Sequence, residues 1–248
     1  ALPEPLAFRH FVAHALRGLA TSEHRAFFEA MLGDVNEPTL PYGLRNVQGT
    51  GSDVRECHRS LPSTLSRRIR EGARREGVSA ASLFHLVWAQ VLAKLSGRED
   101  VVFGTLLLGR MQVGDGSAHA LGMYMNTLPL RVRLDGQTVR EALHKTHQGL
   151  AELLRHEQAS LALAQRCSGV QAPTPLFRAL LNFRHTPLPT QAAAEDEVPE
   201  PLRGMRFAGG HERSNYPVSL NVDDHGVHDG ADAGFSLNPQ VSGPFDPD

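Results

Sequence analysis

The chain has 248 residues, 41% of them hydrophobic and 21% charged, enough to bury one large core or two modest ones. A formal net charge of -2 gives no basic excess, so neither a broad nucleic-acid footprint nor an anionic membrane surface is indicated as a partner. Cys57 and Cys167 are the only cysteines and have no zinc or CxxC spacing, so neither a disulfide framework nor a structural metal site is readable and a reducing compartment is expected.

No apolar run approaches the roughly 18 to 20 residues of a membrane span, and the first residues have no basic-then-apolar leader. A soluble cytoplasmic protein is the expectation. The chain opens on Ala1 and closes on Gly243-Pro-Phe-Asp-Pro-Asp248, which reads as punctuation; a piece of a larger protein is expected.

In chain order, Phe8, Phe11, Val12 and Ala15, then Phe27, Phe28, Met31 and Leu32, recur at helical spacing. They predict short helices over 7–17 and 22–32, with Thr21 or Ser22 as the cap between them. Residues 36–52 lack a period and are rich in Gly, Pro and Asn, so an irregular crossing segment is expected. From Ser63, the apolar Leu65, Ile69 and Ala73 stand among arginines up to Gly77, the pattern of an amphipathic surface helix. Ser79 then caps a mostly buried helix over 80–96, with Leu83, Val87, Val91 and Leu95 on one face and Phe84, Leu86 and Trp88 on others as core.

The most informative stretch is Val101-Val-Phe-Gly-Thr-Leu-Leu-Leu-Gly-Arg110, followed by Leu121-Gly-Met-Tyr-Met-Asn-Thr-Leu-Pro-Leu-Arg-Val-Arg-Leu134. It reads as a strand over 100–108 covered on both faces, a glycine-bearing bend, and a half-exposed strand in which Leu128, Leu130, Val132 and Leu134 alternate with polar residues. Pro129 places the second strand at an edge or a strand start. Arg110 and Asn126 then fall at strand ends as a candidate polar pair. Taken singly, Arg110 is a solvated strand-end arginine and Asn126 a turn or cap residue.

Thr138-Val-Arg-Glu141 has capping-box form and opens a helix carrying Val139, Leu143, Leu150 and Leu154 inward to about Glu157. A short helix over 160–166, a strand over 176–183, a loop over 186–201 and strands over 205–209, 218–223 and 234–241 complete the series. Helices lead and strands follow, which argues for an α/β mixed sheet with helices packed on it. His10 with His14, and Glu141 with His144 and His147, share helix faces but lack further ligands, so no metal site is assigned. Gly49-Thr-Gly51 and Gly114-Asp-Gly116 are turns rather than phosphate loops, and no GxSxG elbow is present.

Six segments in order resemble one family. Phe8-Arg-His-Phe-Val12 is similar to a Tyr-x-Asp-Phe/Tyr motif, 101–110 to VVFGTxxSGR with Leu108 for serine, and 121–131 to GxFxNTxPxR with Tyr124 for phenylalanine. Arg155-His-Glu-Gln158 stands at an HQxxPF-like segment without the Pro-Phe, Pro175-Leu-Phe-Arg-Ala-Leu-Leu-Asn-Phe183 resembles NPLFxxxFxxQ, and Ser214-Asn-Tyr-Pro-Val-Ser-Leu220 resembles (S/T)NYPLxL. The family is the condensation domain of nonribosomal peptide synthetases, and the likeness is to its C-terminal lobe. Leu161-Ala-Leu-Ala-Gln-Arg-Cys-Ser-Gly169 is most like the subtype that both epimerises and condenses.

The resemblance implies a chloramphenicol-acetyltransferase-like lobe and amide-bond formation between two carrier-bound thioesters. It implies partners in donor and acceptor carrier proteins and in an N-terminal lobe with an HHxxxDG motif. No nucleic acid, membrane, metal or directly bound cofactor is implied, phosphopantetheine being delivered by the carriers. This chain holds no His-His pair, so the catalytic histidine lies outside these residues and the isolated lobe is expected to be inactive. Arg110, Asn126 and Tyr124 would belong to the interface and tunnel wall, Arg110 pairing with the Asp of the missing motif. The alternative is a non-catalytic platform that docks a carrier protein.

Overall fold

A computed structural model of the chain describes residues 7–43, 54–108, 122–185, 214–228 and 231–242. Its elements in chain order are α1 (Phe8–Arg17), α2 (Thr21–Leu32), β1 (Val54–Glu56), β2 (Arg59–Ser60), α3 (Ser63–Glu76), α4 (Ala80–Ser96), β3 (Asp100–Leu108), β4 (Met125–Arg133), α5 (Val139–Arg155), α6 (Leu161–Arg166), β5 (Ala179–His185), β6 (Val218–Asp224), β7 (Val227–His228), β8 (Ala231–Asp232) and β9 (Phe235–Ser242). They fall into two units, residues 1–45 with 81–182 and residues 46–80 with 183–248.

The first unit is built on β3. Val101, Val102 and Phe103 are consecutive and each at most 2% exposed, so both faces of this strand are covered, as its unbroken apolar run predicts. β3 pairs antiparallel with β4 and parallel with β5, where Gly104 stands opposite Leu180. The sheet is therefore mixed, as expected. A Cβ on Gly104 would come within 2.5 Å of the Phe177 ring, which is why this strand interior carries glycine.

β4 begins at Met125, three residues before the expected alternation, and puts Asn126 opposite Leu107 inside the ladder rather than in a turn. The leucines of β3 continue to 108 and supply partners that the polar Asn126-Thr127 pair does not advertise. The strand uses both faces. Leu130 packs toward Gly149 of α5, while Thr127 closes with Phe177 over Gly104 on the other side.

The helices form where expected, with altered faces and caps. Thr21 is helical rather than the cap of α2, and the Glu23 carboxylate accepts from the Ala20 N–H at 2.9 Å. α4 buries Ser82, His85, Ala89 and Leu92, with Phe84, Leu86 and Trp88 also in the core; Val87 and Val91 of the expected stripe are 51% and 41% exposed. α5 opens with the predicted box, the Glu141 N–H donating to Thr138 Oγ1 and the Thr138 N–H to Glu141 Oε2. It buries Leu143, Thr146, Leu150 and Leu153, whereas Val139 and Leu154 remain exposed. α6 is capped by Ser160.

In the second unit β9 pairs antiparallel with β6, β1 and β2. β1, β2 and the β7–β8 pair are too short to show a period in sequence. α3 stops at Gly77 in the left-handed conformation as predicted, but its buried residues are Ser66 and Ala73, and Leu65 faces out. Arg70 turns inward instead, donating to Asp224 at 2.6 Å and Asp232 at 3.0 Å, with its guanidinium carbon 4.2 Å from the Phe235 ring centre. The expected bend with Arg110, the loop over 186–201 and the strand over 205–209 lie outside the described residues. Among the described residues no single helix is long and apolar enough to cross a membrane.

Two polar devices fix β4 and α4. Arg131, 7% exposed at its side chain, donates to Asp100, to Asp34 and to the Met31 carbonyl, joining the start of β3 to the end of α2. The hydrogen bond from Arg131 holds the Asp34 carboxyl down to about 2. Arg131→Ala should cost about 2 kcal/mol, less than a fully buried pair because both carboxylates keep water. The stabilisation from Asp34 is complete above its ordinary value of 3.8 and is lost as pH falls through about 2. Urea titrations between pH 5 and 2 should show that acid loss in the native chain and a flatter limb in the variant.

His85, 3% exposed, sits between the Ala81 carbonyl and Thr105 Oγ1, each at 2.7 Å. A carbonyl can only accept, so Nδ1 carries the proton and Nε2 accepts from the Thr105 hydroxyl. Burial pushes the imidazole down to about 4. Its contribution is therefore whole above 6.5 and declines as pH falls toward 4. Thr105→Val leaves Nε2 unpaired, and a loss of about 1 to 2 kcal/mol is expected in denaturant unfolding at pH 7.5.

Candidate functional site

Asn126 is the centre of a polar constellation in the first unit. Its amide Nδ2 donates to the carbonyls of Glu157 and Ala159, both at 2.7 Å, across the turn between α5 and α6. One strand side chain thereby pairs two backbone carbonyls of a turn that lies beyond the last residue of α5 and before the first of α6. Both amide protons are committed, which leaves Oδ1 as the atom that can accept from a bound group.

Tyr124, two residues earlier, is 5% exposed and meets Phe8 and Phe11 edge-on, with ring centres 5.3 and 4.7 Å away. This aromatic trio fastens α1 to the entry of β4. Gly122 lies directly under the Phe8 ring, where any Cβ would collide. The Tyr124 hydroxyl is buried without a hydrogen-bond partner among the described residues.

The turn that Asn126 holds is unusual in its own burial. Glu157 is 3% exposed, burial raises its carboxyl above the ordinary range, and its Oε1 has no partner among the described residues. Gln158 Nε2 is likewise buried and without a partner there. Next to them His156, which caps α5, and His24 of α2 share a hydrogen bond of 2.9 Å between Nδ1 atoms. The Phe27 ring stacks on His156 at 4.1 Å with an interplanar angle of 6°.

The structure thus brings Asn126 and Tyr124 to neighbouring positions on β4 and its entry, with the 155–158 segment against Asn126. Arg110 lies outside the described residues, so its pairing has no geometry here. Glu157, His24 and His156 escape a sequence reading as a group, because a buried histidine pair 132 residues apart leaves no local spacing. The sequence signal that reaches part of the group is the Arg155-His-Glu-Gln158 segment, which the motif order singles out and which contains His156 and Glu157. Among the described residues no cluster of three His, Cys, Asp or Glu could hold a metal.

Two other places in the molecule offer less. A cleft of about 720 Å³ between α4 and the start of α5 is lined by Val87, Val91, Val139 and Lys94, and by neither Tyr124 nor Asn126. In the second unit Arg184 pairs with Asp223, Asn238 Nδ2 donates to Asp223, and His58 Nδ1 meets Asn238 Oδ1 at 2.5 Å. Ser60 Oγ stands 3.4 Å from His58 Nε2, a long and exposed contact, and the whole chain of bonds ties β2 to β6 and β9.

The condensation-domain family profile matches residues 3–231. The chain belongs to this family. Among curated proteins it is 48% identical over 245 residues, 98% of the chain, to malpibaldin synthetase of Mortierella alpina, and 28% identical over 205 residues, 81% of the chain, to bacitracin synthase 3 of Bacillus licheniformis. The matched region is 4% and 3% of those proteins. Solved structures of similar fold include the X-domain from teicoplanin biosynthesis, with TM-score 0.71 at 14% identity, and the condensation domain from Monacolin K polyketide synthase MokA, with TM-score 0.64 at 18% identity. The alignments cover 94% and 90% of this chain and 52% of each of those chains, so this condensation-domain chain spans about half of such structures.

Asn126→Asp provides a direct check on the constellation. A carboxylate facing two carbonyls loses both donors and adds repulsion, with an expected cost of about 3 kcal/mol at pH 7.5 in denaturant unfolding. Part of that cost should be recovered near pH 4, where the new carboxyl regains one proton to donate.

Proposed function

We propose that this chain is the C-terminal lobe of a nonribosomal peptide synthetase condensation domain, and that it forms one wall of the tunnel in which two carrier-bound thioesters are joined. The observation that carries the reading is the family match across residues 3–231 in a chain without a His-His pair that spans half of the related structures. In the reaction the amine of the acceptor attacks the donor thioester carbonyl, one C–N bond forms, one C–S bond breaks, and the thiol leaves with the proton. The thioester already carries the activation, so binding and orientation are what the lobe must supply.

In this reading Asn126 Oδ1 faces the reacting groups as a hydrogen-bond acceptor, with its amide protons spent on holding the Glu157 and Ala159 carbonyls. Arg110 pairs with the Asp of the HHxxxDG motif in the N-terminal lobe, and Tyr124 shapes the wall. Phosphopantetheine arms arrive on donor and acceptor carrier proteins, in a cytoplasmic biosynthesis of a secondary metabolite such as a peptide antibiotic. Residues 161–169 favour the subtype that epimerises the donor before condensing it.

A second reading, a docking platform without chemistry, has one observation in its favour. The teicoplanin X-domain, which shares the fold, is also solved in a complex with OxyB. The two readings separate in one experiment. A protein in which residues 1–248 are rejoined to an HHxxxDG-bearing lobe is assayed for peptide with loaded carriers, alongside Arg110→Ala and Asn126→Ala. Peptide from the rejoined protein, none from residues 1–248 alone, and at least tenfold less from each variant are expected, tenfold being about 1.4 kcal/mol of transition-state stabilisation. Undiminished turnover in both variants removes the roles, and carrier binding without product favours the platform.

A further inference from the structure

The 156–159 turn that holds Asn126 is joined to α2 by the hydrogen bond between His24 and His156, and that bond can exist in only some protonation states. The two histidines are each 8% exposed and meet through Nδ1 on both sides at 2.9 Å. One ring must donate and the other must accept. With one shared proton, or with one ring charged, the bond survives; with both rings charged, two N–H groups face each other and it cannot form. Phe27 stacked on His156 restrains that ring from turning to another partner.

We propose that His24 and His156 are positioning residues that form a proton-sensitive latch on the turn, so that acid releases the Glu157 and Ala159 carbonyls and with them the orientation of Asn126. The path is short and continuous: His156 caps α5, Glu157 and Ala159 follow it directly, and Asn126 Nδ2 is bonded to both of their carbonyls. The charged groups around the pair are Glu23 on α2, and Glu152 and Arg155 on α5. The two glutamates favour a charged ring and Arg155 opposes it, while the buried Glu157 beside His156 is itself shifted toward its neutral form. Burial lowers both histidines, and repulsion from His24 lowers His156 further. The latch is therefore closed above 6.5, the ordinary histidine value, stays closed through the first protonation, and opens only when pH has fallen far enough below 6.5 to charge both rings.

The functional consequence rests on the reading of Asn126 as part of the reaction wall, whereas the latch itself does not. The test uses residues 1–248 labelled with 15N, and follows the two Asn126 side-chain amide protons by NMR from pH 7.5 downward for as long as far-UV circular dichroism shows the chain folded, to about pH 4. In the native chain both resonances should shift at the pH, below 6.5, where the second ring becomes charged, and their exchange, corrected for its intrinsic pH dependence, should accelerate about fivefold, the factor that follows from losing one hydrogen bond. His24→Asn offers an amide that donates to a neutral His156 and accepts from a charged one, so its Asn126 resonances should stay fixed across that range. His24→Leu should show the acid positions already at pH 7.5.

A native chain whose Asn126 resonances do not move while folded, or a His24→Asn chain that moves as the native one does, overturns the proposal. The contrast between native and His24→Asn suffices if His24→Leu does not fold. Failure of the wall reading would show itself separately, as full product from Asn126→Ala in the rejoined protein at neutral pH.

Discussion

β4 is the strand on which the first unit depends, because it is paired along one edge and loaded on both faces. Its register against β3 sends Asn126 and Leu130 toward α5 and sends Thr127 and Arg131 toward α2 and Phe177. A one-residue slip would exchange these faces, placing Met125 or Thr127 where the α5–α6 turn needs an amide and Leu130 or Val132 where Asp34 and Asp100 need a cation. The register is therefore specified by polar partners as well as by leucines. The arginine end anchors the scaffold, and the asparagine end places the candidate wall.

The elements are more legible in the sequence than their faces. Helix ends with a chemical mark can be read directly: Thr138 with Glu141 at the start of α5, and Gly77 at the end of α3. Faces are misread where polar side chains are buried. α4 turns Ser82 and His85 inward because each finds a partner, His147 and Thr105, and this rotates the apolar Val87 and Val91 outward. α3 likewise turns in Arg70, whose charge is met by Asp224 and Asp232, more than 150 residues along the chain. A hydrophobic count has no access to such partners.

The candidate site divides along the same line. The segment around Tyr124 and Asn126 is readable as a motif, and the fold gives it a physical role, since the amide satisfies two carbonyls of a helix-to-helix turn. The His24–His156 bond and the buried Glu157 are not readable, because their meaning comes from a contact between α2 and the end of α5. The family relationship agrees with the order of the motifs and with a mixed sheet carrying helices.

In the proposed function residues 1–248 supply a wall and leave the catalytic histidine to another lobe. Its most direct test is reconstitution from two separate polypeptides: residues 1–248 and an HHxxxDG-bearing lobe, mixed with loaded donor and acceptor carriers and assayed for peptide by mass spectrometry. Product is expected only when both polypeptides are present, rising with their concentrations toward saturation. Peptide formed by residues 1–248 alone, or a stable complex of the two folded lobes that forms none, would contradict it.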